Sequence, residues 1–382
     1  MDSCSGTGTL ALFGARNSSR IICRVSGISS KGTTISTDGG TTHDVTATQS
    51  IKTIGFTISA FLEDEGAHID EQPDFASPCW QFRNKGVSYD SGSGKWGIEG
   101  EPTWFNGITT TFWCWDNATQ SLISSGNVAI SDYETTRGTK PGCLYFSYNL
   151  PASTAATTKT DADNQHDIIF AHNGELRTFD EGGSIVSSAS SGSRTDEYVD
   201  IVFYHALSEI LFTVSPDDGT FDKSIKIVDI SFDNVYTSGS SIFDNSKTTV
   251  DAKFAWTPGS SKASYAQTYN ADFSSFENAA SAPDSLGEWR KESYSQESET
   301  YVLYTSDNKF FMIPQELPAD AQLTVTFEKD GVQTTKSADI TGDTWRAGKY
   351  YKYKLNYSDS GEEMKFSLSL VDWNSIPVDL VF

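Results

Sequence analysis

The stretch Tyr351–Tyr357, which reads YKYKLNY, alternates apolar or aromatic residues with polar ones at every second position. Because successive side chains of a β-strand point to opposite faces, this pattern predicts a strand with one buried and one solvated face. The same alternation recurs along the chain, which favours antiparallel sheets. It is found at residues 54–60, 199–205, 323–327, 351–357 and 366–370.

Helical periodicity is weak by comparison. Its best candidates, residues 60–71 and 288–300, are short and polar. Since strands do not alternate with amphipathic helices, a doubly wound α/β fold is disfavoured. The sequence therefore predicts an all-β protein built of antiparallel β-sandwiches.

The length of 382 residues suggests about two domains. A Gly- and Ser-rich stretch at residues 181–196 is the best candidate for the boundary, because such a composition cannot bury a core. It fits a long hairpin loop equally well. We expect an N-terminal domain over residues 1–194, which begins with a flexible tail, and a C-terminal domain over residues 195–382.

Charge excludes two classes of partner. The chain has 51 Asp and Glu residues against 28 Lys and Arg residues, which gives a formal net charge of −23. This charge repels a phosphate backbone and an anionic membrane surface, so we expect no nucleic-acid partner. The sequence contains no run of 18 apolar residues, so it predicts no transmembrane segment. Cys4, which precedes a Ser-, Gly- and Thr-rich stretch, is a candidate lipidation site, and a free cysteine in a tail is the alternative.

No motif in the sequence points to catalysis. The GxSxG, Walker and HExxH patterns are missing. Gly92, Gly94 and Gly97 have GxGxxG spacing, but they lie on a turn-rich stretch without a strand-to-helix context and carry no nucleotide signal. Residues 161–172 begin like an EF-hand loop, but His166 stands where glycine is required and His172 where glutamate is required. A solvated acidic loop is the favoured interpretation, and His205 is expected to be a core or interface histidine. We expect no catalytic residue, no metal site and no cofactor.

Four cysteines lie in the first half of the chain, and none has CxxC spacing. They allow three disulfide pairings in an oxidising compartment, and isolated buried thiols are the alternative. The four are Cys23, Cys79, Cys114 and Cys143.

Tryptophans also cluster in the first half, at positions 80, 96, 104, 113 and 115. Trp113 and Trp115 share one face of a predicted strand, with Cys114 on the other face. Core packing is the favoured interpretation of the cluster. Exposed indoles could instead stack on sugar rings, with Trp96 and Trp104 as the candidate platform.

Several segments in a fixed order resemble the fimbrillin-like families of gram-negative anaerobes of the gut and mouth. Together they cover most of residues 165–375, whereas the first 160 residues resemble these families only in their general sequence character. The segments are Asp167–Ala171, Phe203–Val214, Phe310–Leu317, Trp345–Tyr353 and Val371–Trp373.

The resemblance implies two transthyretin-like β-sandwich domains in tandem, export as a lipoprotein, and assembly into or onto a fimbria at the outer membrane. In this family, stalk subunits lose an N-terminal strand after an arginine, and the vacated groove accepts a strand from the neighbouring subunit. Arg16, Arg20 and Arg24 are the candidate processing points here.

The end of the sequence offers a candidate donor strand. Val378, Leu380 and Phe382 share one face of a short alternating segment. This segment either closes a sheet of its own chain or fills the groove of another subunit.

The sequence and the resemblance together indicate a non-enzymatic cell-surface fimbrial subunit or fimbria-associated adhesin. Its expected partners are other fimbrial subunits and a host glycan or protein receptor, with a lipid anchor in place of a transmembrane segment. The alternative is a carbohydrate-binding surface lipoprotein that uses exposed tryptophans.

Overall fold

The structure is a computed structural model, and the described part of the chain consists of sixteen ranges. These ranges are 16–20, 22–28, 55–63, 79–92, 95–100, 102–105, 109–131, 143–151, 167–179, 185–189, 198–216, 225–272, 290–291, 301–303, 310–357 and 364–372.

Strands dominate these ranges, as the alternating pattern predicted, and the all-β prediction is confirmed. In chain order they are β1 (Arg16–Arg20), β2 (Ile22–Ile28), β3 (Phe56–Glu63), β4 (Cys79–Asp90), β5 (Lys95–Ile98), β6 (Thr103–Phe105), β7 (Thr109–Asp116), β8 (Val128–Ile130), β9 (Cys143–Asn149), β10 (Ile169–Phe179), β11 (Ile185–Ala189), β12 (Tyr198–His205), β13 (Ser208–Pro216), β14 (Ile225–Tyr236), β15 (Ser238–Asp244), β16 (Phe254–Pro258), β17 (Lys262–Asp272), β18 (Arg290–Lys291), β19 (Tyr301–Leu303), β20 (Phe310–Met312), β21 (Gln315–Glu316), β22 (Gln322–Lys329), β23 (Val332–Asp339), β24 (Thr344–Trp345), β25 (Lys349–Tyr357) and β26 (Met364–Asp372).

Two short helices interrupt the strands within the described ranges, α1 (Asn117–Ser125) and α2 (Val250–Lys253). The Asp116 side chain caps α1 by accepting a hydrogen bond from Thr119 N at 2.8 Å, and Gly126 ends the helix with φ of 81°. The predicted helical candidates at 60–71 and 288–300 are wrong where the structure describes them, because their described residues lie in β3 and β18. Neither described helix is long and apolar enough to cross a membrane.

The first large sheet closes into a ring. Its strand order is β11-β10-β12-β2-β5-β4-β3-β7, and β10 also pairs with β7. Alternate residues of a strand point to the same face, and the described side chains that point into the ring are apolar. Fully buried interior side chains include Phe56, Ile58, Phe112, Val199, Ile201 and Phe203.

The second half contains two facing sheets, one of order β18-β19-β13-β25-β26 and one of order β17-β14-β22-β23. Phe212 on β13 and Tyr353 on β25 meet Phe232 on β14, with ring centroids 5.9 Å and 5.7 Å from it. A further sheet, β16-β15-β9-β8, contributes to the same core. The sandwich prediction fits this half well.

β7 belongs to both cores. Phe112 and Cys114 point into the ring, whereas Trp113 and Trp115 point into the second core. The prediction that the two tryptophans share a buried face opposite Cys114 is therefore confirmed.

Strand pairing crosses the predicted domain boundary in both directions. β12, which follows residue 194, pairs with β10 and β2 of the ring, whereas β9, which precedes it, pairs with β15. The division into tandem domains at 194/195 stays a prediction.

Candidate assembly site

The N-terminal strand β2 is inserted in the ring between two strands that come much later in the chain. It pairs in parallel with β12, from Tyr198 opposite Ile22 to Phe203 opposite Ile28. On its other side it makes a single pairing, Cys23 with Trp96 on β5. β2 is therefore held firmly along one edge and weakly along the other.

β1 lies outside the ring, and among the described strands it pairs only with β6, with Arg16 opposite Phe105 and Arg20 opposite Thr103. Arg24 lies within β2, opposite Asp200 of β12. A cut after Arg20 would separate β1 from β2, whereas a cut after Arg24 would divide β2. The three candidate processing points thus lie along one N-terminal path.

The ring wall beside β2 is apolar on its inner face. Val199, Ile201 and Phe203 of β12 have no exposed surface. Phe203 meets Phe56 edge-to-face at 5.4 Å between centroids, and Phe56 also packs against Trp96 at 5.2 Å. Loss of β2 would leave two open strand edges beside this interior.

Trp96 forms part of this interior and offers no open platform. Its side chain is 6% exposed and packs between Phe56 and Tyr89. The prediction that Trp96 forms part of a sugar platform is wrong, because a ring covered by neighbouring rings cannot stack on a sugar. Trp104 lies on β6, and its side chain is outside the described part of the chain.

Two of the cysteines are now placed. Cys114 and Cys143 are buried residues of β7 and β9. Cys23 and Cys79 lie on β2 and β4, with side chains outside the described part of the chain. Cys4 and the segment that holds Val378, Leu380 and Phe382 also lie outside it.

A buried cluster of charged and aromatic groups joins the ring to the second half. The Lys253 ammonium donates to Asn245 O and Oδ1, both at 2.9 Å, and lies 4.6 Å from the centroid of the Tyr204 ring. Asn245 Nδ2 in turn donates to His172 O at 2.9 Å. Burial lowers the pKa of His172 to about 4, and the charge of Lys253 acts in the same direction.

His205 is a fully buried histidine whose Nδ1 pairs with Asp167 Oδ2. The prediction of a core histidine is confirmed. In the ranges that the structure describes, no three His, Cys, Asp or Glu side chains converge as metal ligands.

The family of the chain follows from its second half. The model of the fimbrillin-like family matches residues 145–373, which is more than half of the sequence. The chain belongs to the fimbrillin-like family. The resemblance seen in the sequence is thereby confirmed.

Solved structures of low identity resemble this fimbrillin-like chain. A fimbrial protein from Bacteroides vulgatus is 16% identical, with a TM-score of 0.46 over 84% of this chain and 93% of that chain. A protein from Bacteroides uniformis with a proposed role in cell adhesion is 13% identical, with a TM-score of 0.43 over 84% of this chain and 92% of that chain. None of the curated proteins matches the chain.

The sequence signature of the fimbrillin-like half builds a turn before β25. Tyr351 OH accepts from Arg346 N at 2.7 Å and donates to Thr344 O at 2.8 Å. Trp345 Nε1 donates to Tyr353 OH at 3.1 Å. Burial raises the pKa of both phenols well above the ordinary value, so they stay protonated hydrogen-bond partners.

Gln315 is a residue of this half that the sequence did not single out. Its side-chain amide accepts from Tyr236 N at 2.9 Å and donates to Tyr236 O at 3.0 Å, which fastens β21 to the end of β14. Only the meeting of these two distant segments gives the side chain its role, so no local pattern could have revealed it.

Proposed function

We propose that this chain is a non-enzymatic cell-surface fimbrial subunit or fimbria-associated adhesin, which assembles by β-strand addition after N-terminal processing. Membership of the fimbrillin-like family supports a fimbrial or adhesion role. The observation that carries the mechanism is the position of β2, an N-terminal strand inserted between β12 and β5 of a closed ring.

The proposed acceptor is the gap that opens when the segment containing β1 and part or all of β2 leaves. Removal exposes the backbone groups of β12 and the apolar interior behind them. An incoming strand restores the ladder, with net gains of about 0.5–1.5 kcal/mol for each hydrogen bond. The six residue pairs between β2 and β12 indicate the length of strand that this edge can hold.

The proposed donor is the segment that carries Val378, Leu380 and Phe382 in another subunit. Its alternation gives one apolar face, which is what an edge beside an apolar interior selects. A lipid on Cys4 would hold the precursor at the outer membrane until processing releases it. Other subunits are the first partners in this scheme, and a host glycan or protein receptor is the second.

The processing step can be tested with an arginine-specific protease. We expect treatment to remove the N-terminal segment and to produce higher-order species in size-exclusion chromatography. Replacement of Arg16, Arg20 and Arg24 by lysine keeps each charge but removes these three cleavage points, so the triple variant should keep its N-terminal segment and stay monomeric. Intact-mass measurement of single variants identifies the point that matters.

The donor can be tested on the processed chain. Replacing Val378, Leu380 and Phe382 by aspartate should prevent assembly, because charged side chains cannot enter an apolar interior without a large free-energy cost. Replacing Asp379 and Val381 by serine changes the opposite face and should leave assembly intact. Normal assembly of the aspartate variant would remove this segment from the mechanism.

A further inference from the structure

The strands β2 and β12 do not match residue for residue. Ile201 lies opposite Val25, whereas Val202, the next residue of β12, lies opposite Gly27. β2 therefore has one residue more than β12 at this point, and the extra residue is Ser26. Such a β-bulge leaves its extra residue unpaired and interrupts the ladder.

The irregularity belongs to β2 and not to β12. Val199, Ile201 and Phe203 of β12 are all buried in the ring, and Val202 between the last two is partly exposed. The alternation of faces therefore continues unbroken across the shift. Because a slip of one residue would turn the buried set of β12 outward, β12 keeps its place in the wall and β2 takes up the mismatch.

A second bulge in the same ring is fastened on both sides. β3 and β4 lose register between Ile58 and Ala60, close to Asn84, which has φ of 48°. Ser59 Oγ accepts from Asn84 N at 2.9 Å and donates to Asn84 Oδ1 at 3.2 Å, and β3 also pairs with β7 over eight positions. In comparison, the described residues of β2 make one pair with β5 beyond those with β12.

The bulge lies on the C-terminal side of every candidate processing point. A cut after Arg24 leaves three of the six pairs between β2 and β12 on the chain, and the two earlier points leave all six. The three remaining pairs belong to residues 25–28, which we call the remnant of β2. The bulge falls after the first of these pairs, so the remnant has no two consecutive residues paired before Gly27.

We propose that the bulge at Ser26 is a release point, which lets the remnant leave β12 after a cut at Arg24 and so clears the whole edge for an incoming strand. This inference rests on the proposed function, since it names the step between processing and strand addition. Before processing, β2 is held by four regular pairs ahead of the bulge, and the cut removes three of them. An incoming strand without a bulge can then form the ladder without interruption.

The state of β2 can be read on β12. In the described ladders, residues 198–203 of β12 pair with β2, and β10 reaches β12 only at Tyr204 and His205. Hydrogen exchange of the amides at 198–203 that face β2 therefore reports how firmly β2 is held.

Two variants with opposite expected effects test the bulge on the full, unprocessed chain. Deletion of Ser26 keeps all six residue pairs and removes the bulge, so these amides should exchange at least about ten-fold more slowly. Insertion of a second serine after Ser26 widens the bulge and should speed the same exchange. Ser26→Ala keeps the extra residue, so this matched control should exchange like the unchanged chain.

Three results on the unprocessed chain would overturn the proposal. Equal exchange in all four chains would show that the bulge does not weaken the ladder. Faster exchange in the deletion variant, or loss of its near-ultraviolet circular dichroism, would show instead that the ring needs the extra residue in order to close. Slower exchange in the insertion variant would contradict the direction of the effect.

Release of the remnant is measured on the chain cut after Arg24, at a concentration where light scattering detects monomers alone. We expect the cut to remove the protection of residues 201–203 in the unchanged chain and to leave it in the deletion variant. At higher concentration the processed deletion variant should assemble at least about ten-fold more slowly, because its remnant still occupies the edge. Protection that survives the cut in the unchanged chain would overturn the proposal.

The release point and strand addition fail in different experiments. Release is read as hydrogen exchange on monomers, whereas strand addition is read as assembly of the processed chain. If the exchange results hold and the processed chain stays monomeric at every concentration, strand addition fails and the release point stands. If the deletion variant assembles as fast as the unchanged chain, the release point fails and strand addition stands.

Discussion

The molecule contains two parallel strand pairs among ladders that are otherwise antiparallel in the described ranges, and the two pairs differ in how they are held. β2 and β12 match over six residue pairs, with a register shift after Ile201. β13 and β25 match over eight consecutive pairs without a shift. The first pair includes the N-terminal strand, whereas both strands of the second lie deep in the fimbrillin-like half.

The second pair is also fastened from outside its ladder. Ser208 Oγ donates to Arg346 O at 2.9 Å, and Gly348 N donates to Leu207 O at 3.0 Å. β13 pairs with β19 and β20, and β25 pairs with β26 over nine positions. In contrast, the described residues of β2 make one residue pair with β5 on the side away from β12. The ring pair is therefore held by fewer residue pairs than the pair in the second half.

The largest expected effect comes from Phe212 on β13. Its ring meets Phe232, Phe310 and Tyr353 at 5.8–5.9 Å between centroids. Phe212→Ala should lower the free energy of unfolding by about 3–5 kcal/mol, because it removes a buried ring and leaves a cavity. Urea denaturation followed by tryptophan fluorescence measures the change.

Phe203→Ala on β12 is the matched variant in the ring, since both side chains are almost fully buried. If the ring pair is the looser one, this cavity collapses more easily and Phe203→Ala costs less than Phe212→Ala. Equal losses would contradict the comparison. Val332→Ala, at a side chain that is 66% exposed, should stay within about 0.5 kcal/mol of the unchanged chain.

The turn before β25 provides the next test. Gly348 has φ of 63°, and a Cβ at this position would lie 2.4 Å from Val250 Cγ1. Gly348→Ala should therefore cost about 3 kcal/mol, from left-handed strain and steric overlap together. Thermal and urea unfolding measure the loss.

Gly331→Ala separates these two causes. Gly331 has φ of 78°, but a Cβ at this position would meet no atom within 4 Å beyond its own chain neighbours, so only strain of about 1 kcal/mol is expected. Val250→Ala should recover part of the loss in Gly348→Ala and none in Gly331→Ala. A similar loss at the two glycines would show that the close contact with Val250 does not help to fasten the ladder.

The sequence predicted single strands better than their partners. The alternation at 199–205 and 351–357 correctly placed β12 and β25, and the two faces of β7 were correct at Trp113 and Cys114. The ring was missed because alternation says which face of a strand is buried and not which distant strand lies beside it. Helix α1 was missed although Asp116 and Gly126 are recognisable caps, since it buries only Thr119 and Leu122 and shows little periodicity.

The candidate site, too, could be predicted from the sequence only in part. The arginines could be found by residue type, and their order along β1 and β2 followed from the chain. An open groove beside β16 could not be predicted, because the residues that line it come from four separate parts of the sequence, at 236, 251–259, 314–319 and 344–346. The exposure of Trp96 could not be predicted either, because the strand pattern does not show whether other side chains cover an aromatic ring.

Acid should weaken the ring side before the β13–β25 ladder. His172 on β10 has a folded pKa of about 4, below its ordinary value of 6.5, so the unfolded chain binds more protons between these values. Its contribution to stability is intact above pH 6.5 and falls as the pH drops toward 4. We expect His172→Gln to flatten the pH dependence of the unfolding free energy by about 2 kcal/mol, which allows for partial exposure of the ring.

Asp116 gives the unfolding free energy the opposite pH dependence, so its contribution must be measured separately. Burial raises its pKa from 3.8 to about 6, so the stability that it contributes falls as the pH rises through this range. Asp116→Asn keeps a helix cap and removes the titration. Measurement of both single variants and the double variant between pH 4 and 7 separates the two slopes, and an unchanged acid slope in His172→Gln would exclude this histidine as its source.

The smallest effect is expected at the ion pair between Arg346 and Asp251, whose side chains are 55% and 38% exposed. Asp251→Asn should change the free energy of unfolding by less than about 0.5 kcal/mol, and by less still at high salt, because water screens exposed charges. Ser208→Ala removes a buried hydrogen bond to the backbone of the same arginine and should cost about 1–2 kcal/mol. A larger loss in Ser208→Ala than in Asp251→Asn would show that the backbone of Arg346 contributes more than its side chain to holding β25. A larger loss in Asp251→Asn would show the reverse.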